Sequence, residues 1–129
     1  LKVIEHGMDI RLLDREICER LKEMKWARGM KFAYDQVGDR EAVQDGIALL
    51  KEAEINVRQY VQFYVLVGYN TTVDEDIGRC EDLKKWGTGA YVMMYEKTPI
   101  LRALARWSNW KPFYRSMSFE EYKRENFKG

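Results

Sequence analysis

The chain has 129 residues, 46% of them apolar and 33% charged, and a formal net charge of +1. That is one soluble, core-forming domain's worth of sequence, and near-neutrality gives it no general drive towards nucleic acid or anionic lipid. No apolar run approaches the ~18 residues of a membrane helix and no signal peptide is visible, so no membrane contact and a cytoplasmic location are expected.

In chain order, Val3-Ile4 followed by Gly7 predicts a strand over 2–10, ending in a loop that carries Asp9 and Arg11. Asp14 precedes a helix over about 15–25, with Ile17, Leu21 and Met24 as its buried stripe. Met30-Lys31-Phe32-Ala33-Tyr34 reads as a second strand with Asp35-Gln36 at its carboxyl end. Gly38-Asp39 then opens a helix to about Ala53, with Val43, Ile47 and Leu50 on one face and Asn56 interrupting after it.

Tyr60 to Val67 is a run of Tyr, Val, Phe and Leu broken only by Gln62, the pattern of a strand buried on both faces. It ends at Gly68 and passes through Asn70, Thr71 and Thr72 into a helix. Thr72 and Glu75 have capping-box spacing, and Asp74, Glu75 and Asp76 suit the positive end of a helix dipole. Val73, Ile77, Cys80 and Leu83 are its expected apolar stripe, and Gly87 its stop. Ala90 to Tyr95 is a fourth strand, followed by Glu96-Lys97 and Pro99. Beyond it Ile100 to Trp107 reads as helix, Trp110 to Tyr114 as irregular, and Ser118 with Glu121 as a second capping box.

Strands recurring about every 30 residues with helices between them have the βαβ period. This predicts an α/β fold with a parallel sheet whose polar strand ends share one rim. Asp9, Arg11, Asp35, Gln36, Asn70, Thr71, Glu96 and Lys97 would gather there. Such a mixture suits a zwitterionic ligand bearing a sugar, and equally suits plain helix capping and turn formation. No P-loop, no G-x-G-x-x-G and no diagnostic carboxylate pair is present. Cys18 and Cys80 are too few and too far apart for a disulfide framework or a metal cluster, and read as packed, reduced thiols. His6 is the only histidine. The chain opens on Leu1 rather than Met, as expected of a processed chain or a piece of a longer one.

Val65 to Asp76 resembles the fifth-strand motif of radical S-adenosylmethionine (radical SAM) enzymes, an apolar strand followed by G-[FY]-P-G-E-T and an acidic helix start. Phe32-Ala33-Tyr34-Asp35 looks like that family's fourth strand. Ile47 to Ala53 is similar to the helix before strand five, and Tyr91 to Pro99 to strand six. Gly7-Met8-Asp9-Ile10-Arg11-Leu12-Leu13 looks like a third strand reading G-L-D-I-R-L-L.

The resemblance implies that residues 1–98 hold strands three to six of a partial (β/α)6 TIM-like barrel. Residues 99–129 would form a helical aromatic and basic extension. It departs from the family at Asn70-Thr71-Thr72, which stand in place of Pro-Gly-Glu. It departs also in lacking the C-x-x-x-C-x-x-C segment that holds the four-iron four-sulfur (4Fe-4S) cluster.

In a parent protein with the missing N-terminal half, the family's chemistry is reduction of S-adenosylmethionine to a 5′-deoxyadenosyl radical. The resemblance places Tyr34, Asp35 and Gln36 by the ribose or methionyl groups. It sets Val67, Gly68, Tyr69, Met94 and Tyr95 around the adenine, and lets Asp9 and Arg11 reach the methionyl carboxylate or the substrate. Asn70 and Thr71 complete the turn. The parent would be an enzyme with an unread substrate; this chain alone is expected to hold neither cofactor and to show no turnover.

A cut barrel would leave edge strands bare near Val3 and Val92, and so favours a homo-oligomer. The alternatives are a non-enzymatic or nucleotide-binding flavodoxin-like α/β module and an RNA-contacting domain. The second would use Arg102, Arg106, Trp107, Trp110, Lys111, Phe113, Tyr114 and Arg115.

Overall fold

In the computed structural model, which describes residues 8–24 and 29–126, three parallel strands stand side by side in chain order. They are β1 (Met30–Ala33), β2 (Val61–Val67) and β3 (Gly89–Met94). The predicted first strand falls mostly outside the described residues, as do His6 and Val3. Its last part is represented by Met8, which forms a parallel bridge to Phe32 beyond β1. A four-stranded barrel segment is thus reduced, among the described residues, to a three-stranded sheet with that bridge.

The helices begin and end where the side chains direct. Asp14 accepts from the Ile17 N–H at 2.8 Å and starts α1 (Arg15–Glu23). After a 3₁₀ turn over Val37–Asp39, α2 (Arg40–Glu52) follows. Gly46 lies in its middle because Ile10 fills the space a Cβ would need. Asn56 caps a single turn, α3 (Val57–Tyr60), which leads into β2.

Thr72 and Glu75 form the complete capping box of α4 (Val73–Lys85), and Gly87, at φ 89°, ends it with Thr88 N–H donating back to the Leu83 carbonyl. α5 (Pro99–Asn109) packs against β3, so it completes another strand–helix unit before the rhythm breaks. The segment after it is α6 (Lys111–Ser116) rather than irregular: Pro112 has the φ of a first helical turn already fixed. Ser118 and Glu121 then form the reciprocal bonds that start α7 (Phe119–Asn126).

One face of the sheet carries Phe32, Phe63, Val65, Ala90 and Val92, all buried in a single core with Val43, Leu50, Cys80, Leu83, Leu104 and Trp107 from the helices. The other face is only partly shielded by the described residues. Burial alternates along β2, with Gln62, Tyr64 and Leu66 only partly shielded, and Tyr91 and Met93 on β3 are 43% and 41% exposed. This corrects the expectation of a strand buried on both faces. The unbroken apolar run misled because Tyr64 and Leu66 lie on a half-open aromatic surface, where Tyr64 meets Tyr91 edge-on at 6.1 Å.

Two helix stripes also differ. On α1 the fully buried residues are Cys18 and Leu21, with Ile17 at the margin. On α4 they are Asp76, Arg79, Cys80 and Leu83, while Val73 is exposed.

The β3 edge is not bare near Val92. The Asn109 side chain accepts from the Val92 N–H at 2.7 Å and donates to the Val92 carbonyl at 3.1 Å, and Ser108 Oγ donates to the Ala90 carbonyl at 3.0 Å. In a parallel strand the N–H and C=O of one residue point the same way, so one amide side chain replaces one residue of a missing neighbour. α5 thereby occupies the middle of an edge that was expected to recruit another chain.

Candidate functional site

Parallel strands bring their carboxyl ends to one rim, and here the rim is built around the turn from β2 into α4. β2 outruns β1, so the N–H and C=O of Leu66 face no strand. Asp35 Oδ1 accepts from the Leu66 N–H at 3.1 Å, and Arg79 donates to the Leu66 carbonyl at 2.9 Å and to the Tyr34 carbonyl at 2.6 Å. Arg79 also meets Asp76 Oδ1 at 2.5 Å, and both side chains are 1% exposed. Asp76 takes two further bonds, from the Gly68 N–H at 3.1 Å and the Thr71 hydroxyl at 2.6 Å. A buried ion pair therefore fixes the turn to the ends of two strands.

This pair went unread in the sequence, where Asp76 looked like a dipole partner in an acidic first turn and Arg79 was not singled out. The available signal was the spacing of three between them, which sets both on one helix face beside Cys80 and Leu83.

Above this support the backbone is exposed and aromatic. Gly68 has φ 76°, and a Cβ there would lie 3.1 Å from the Glu96 backbone nitrogen and 3.0 Å from a Leu101 methyl. Asn70 takes a left-handed φ of 54°, as asparagine tolerates. Val67 is buried, and its carbonyl accepts from the Tyr95 N–H at 2.9 Å, carrying the pairing one residue past Met94. Tyr69 and Tyr95, 47% and 64% exposed, meet edge-on with centroids 4.7 Å apart. Gly68, Tyr69, Asn70, Thr71 and Tyr95 therefore lie together at the turn, with Glu96 against Gly68, while Val67 is buried and Met94 packs against the core.

The other predicted residues are placed differently. Asp9 and Arg11 lie by the end of β1, where they line a hollow of about 290 Å³ with Ala33, Asp35 and Asp39. There they satisfy each other: Asp9 caps the 3₁₀ turn Ile10–Leu12 and takes two bonds from the Arg11 guanidinium, at 2.9 and 3.0 Å. Arg11 holds the Asp9 carboxyl below its ordinary range.

Tyr34 points its ring away from the rim, into the helix layer, where it stacks on Trp86 and donates to Asp82 at 3.0 Å. Burial and the Asp82 carboxylate raise that phenol's pKa. Tyr34 can thus offer the rim only backbone, and its carbonyl is already held by Arg79. Gln36 is exposed, with no capping bond from its side chain.

The aromatic residues considered for RNA stacking are largely internal. Trp107 is fully buried, Tyr114 is 4% exposed, Phe113 is half-buried, and Trp110 alone of the four is open, at 57%.

Comparison of the chain with family models, curated proteins and solved structures found no match. The chemistry of the rim has to be argued from its own groups. These are two exposed phenols, a bare glycine turn with asparagine beside it, and a hydrogen-bonded carboxylate at Asp35. Such a surface can stack a flat ring and accept from hydroxyls. No helix among the described residues is long and apolar enough to cross a membrane.

Proposed function

We propose that this chain is the part of a radical SAM protein that holds strands three to six of its partial barrel, and that its rim contributes contacts to S-adenosylmethionine. The observation that carries the reading is the sheet face left half-open by the described residues. Consecutive parallel strands in chain order, with one face packed on helices and the other left to face a hollow, are what a segment of a βα barrel presents. A flavodoxin-like sheet is wound with helices on both faces, and its strand order reverses at the site. The second support is the turn at Gly68, where a flat group can approach the backbone between Tyr69 and Tyr95.

The residues present fit the two cofactors unequally. For S-adenosylmethionine, Gly68, Tyr69 and Tyr95 would flank the adenine, with Asn70 and Asp35 beside the hydroxyls. Bound there, the cofactor would supply hydrogen-abstraction chemistry. For the iron–sulfur cluster no fit exists among the described residues: Cys18 and Cys80 are both fully buried, in the helix layer. Burial pushes the Cys80 thiol up to about 12, the reverse of what an iron-binding thiolate needs. Three cysteines would have to come from the N-terminal half of the parent, which is this chain's first partner in the proposal. Self-association through the open face is its second, with a cytoplasmic setting.

The test takes the protein encoded together with what precedes Leu1. A C-x-x-x-C-x-x-C segment there is the expected result, with anaerobic release of 5′-deoxyadenosine from S-adenosylmethionine after iron–sulfide reconstitution. Tyr69→Ala with Tyr95→Ala, both at exposed positions, should raise the KM for S-adenosylmethionine about tenfold while leaving cluster absorbance unchanged. An upstream sequence without the cysteine segment overturns the proposal, as does a reconstituted protein that releases no 5′-deoxyadenosine.

A further inference from the structure

The edge of the sheet opposite the rim holds a second concavity, of about 250 Å³, between the end of α4, the start of β3 and α6. Four cations line it: Arg58, Lys84, Lys111 and Arg115. The rest of the wall is Tyr114 and the backbone from Gly87 to Gly89, with no carboxylate among the lining residues. Several cations elsewhere on the described surface, among them Arg11, Arg20, Lys22, Arg40 and Lys123, pair with an acid. None of the four cations of the hollow forms an ion pair among the described residues.

Lys111 is the decisive group. Its Nζ is closed off from solvent and has no hydrogen-bond partner. A Cβ on Gly89 would lie 2.7 Å from that Nζ, so the missing side chain at Gly89 is what lets the ammonium sit against the start of β3. Lys84 reaches into the same space from α4, held by a 2.6 Å bond to the Tyr114 carbonyl. The two ammonium groups lie 5.5 and 5.4 Å from the centre of the Tyr114 ring. An aromatic face attracts a cation but does not neutralise it. Burial and the neighbouring Arg115 both disfavour the charge on Lys111. A desolvated ammonium among like charges, with no counter-charge lining the hollow, is costly, and an anion bound there removes that cost.

We propose that this hollow binds the phosphate group of a small molecule. A tetrahedral oxyanion accepts from several ammonium and guanidinium groups at once, and a small concave site favours a compact ligand. RNA would need several aromatic faces to stack on, and of those nearby Trp107 and Tyr114 are spent on the core, leaving Trp110 alone. The site lies at the amino ends of the strands, away from the rim, and does not depend on the reading of the rim.

The test titrates the ¹⁵N-labelled chain with sodium phosphate, replacing sodium chloride at constant ionic strength, and follows the amides of Gly89, Lys111 and Arg115 along with the melting temperature. Saturable shifts at those amides and a phosphate-dependent rise in Tm are expected. Lys111→Met should melt higher than the parent chain without phosphate and lose the phosphate-dependent rise. Arg115→Gln, at an exposed position, should weaken phosphate binding about tenfold. Phenyl phosphate binding more tightly than inorganic phosphate would assign an organic phosphate; the reverse order would assign the free ion. Phosphate shifts no larger than those of chloride overturn the proposal, as does an unchanged phosphate response in Lys111→Met. So does a single-stranded oligouridylate that binds and is not displaced by phosphate.

Discussion

Arg79 is one side chain with four assignments, and the rim's geometry depends on all of them. Its guanidinium ends two strands by taking the carbonyls of Tyr34 and Leu66, pairs with Asp76, and lies 6.0 Å from the centre of the Tyr34 ring. Removing one member of a buried pair leaves the other charge without water or a partner, which costs about 3–5 kcal/mol. Arg79→Met should therefore lose stability in that range by urea unfolding. Adding Asp76→Asn should lose much less than the sum of the two single changes, because the stranded carboxylate is gone. Single and double variants that add to within about 0.5 kcal/mol would mean that the two residues act independently. Gly68 is the other residue on which the turn depends, and it was legible: a glycine between a strand and a capped helix signals a turn that side chains disfavour. Arg79 was not, because an arginine's burial is decided by the carbonyls it meets, which belong to segments 45 and 13 residues away.

At the scale of elements, local chemistry was readable wherever a few adjacent residues decide the outcome. The capping boxes at Thr72 and Ser118, the glycine stop at Gly87 and the polar cap at Asp14 all form as their spacing predicts. What spacing does not carry is which face a neighbour covers. The run from Val61 to Val67 reads as doubly buried because Tyr64 and Leu66 are apolar, yet they lie on the open face. The β3 edge was misread for a related reason: its cover at Val92 is the Asn109 amide from α5, with Ser108 at Ala90, and nothing around Asn109 in the sequence marks it as a strand surrogate. Asn109→Leu should leave the Val92 N–H and carbonyl unpaired at a partly shielded edge, at a cost of about 2 kcal/mol for two neutral bonds. The variant should also sediment with concentration-dependent association that the parent chain lacks or shows more weakly. A variant as stable and no more associated than the parent would show that water serves Val92 equally well.

Across the whole molecule, two buried phenols tie opposite ends of the sheet to the helices. Tyr34 donates to Asp82 near the rim, and Tyr114 donates to the Thr88 carbonyl at 2.9 Å beside the basic hollow. Burial is the largest cause of the raised pKa at both; the Asp82 bond adds to it at Tyr34, and the charges of Cys80 and Glu81 add to it at Tyr114. The sign of the consequence is fixed. An unfolded chain releases these two protons near the ordinary value of 10.0, whereas the folded chain keeps them. The stability they contribute is complete below pH 10 and falls as pH rises through and above it. Absorbance titration should then find Tyr34 and Tyr114 ionising only with the loss of native near-ultraviolet circular dichroism. Tyr34→Phe and Tyr114→Phe should each lessen the alkaline decline in Tm, at the expense of a hydrogen bond at neutral pH. If these two phenols titrate while the native signal persists, the two rings are not locked between sheet and helices, and neither end of the sheet is as rigid as a preformed site requires.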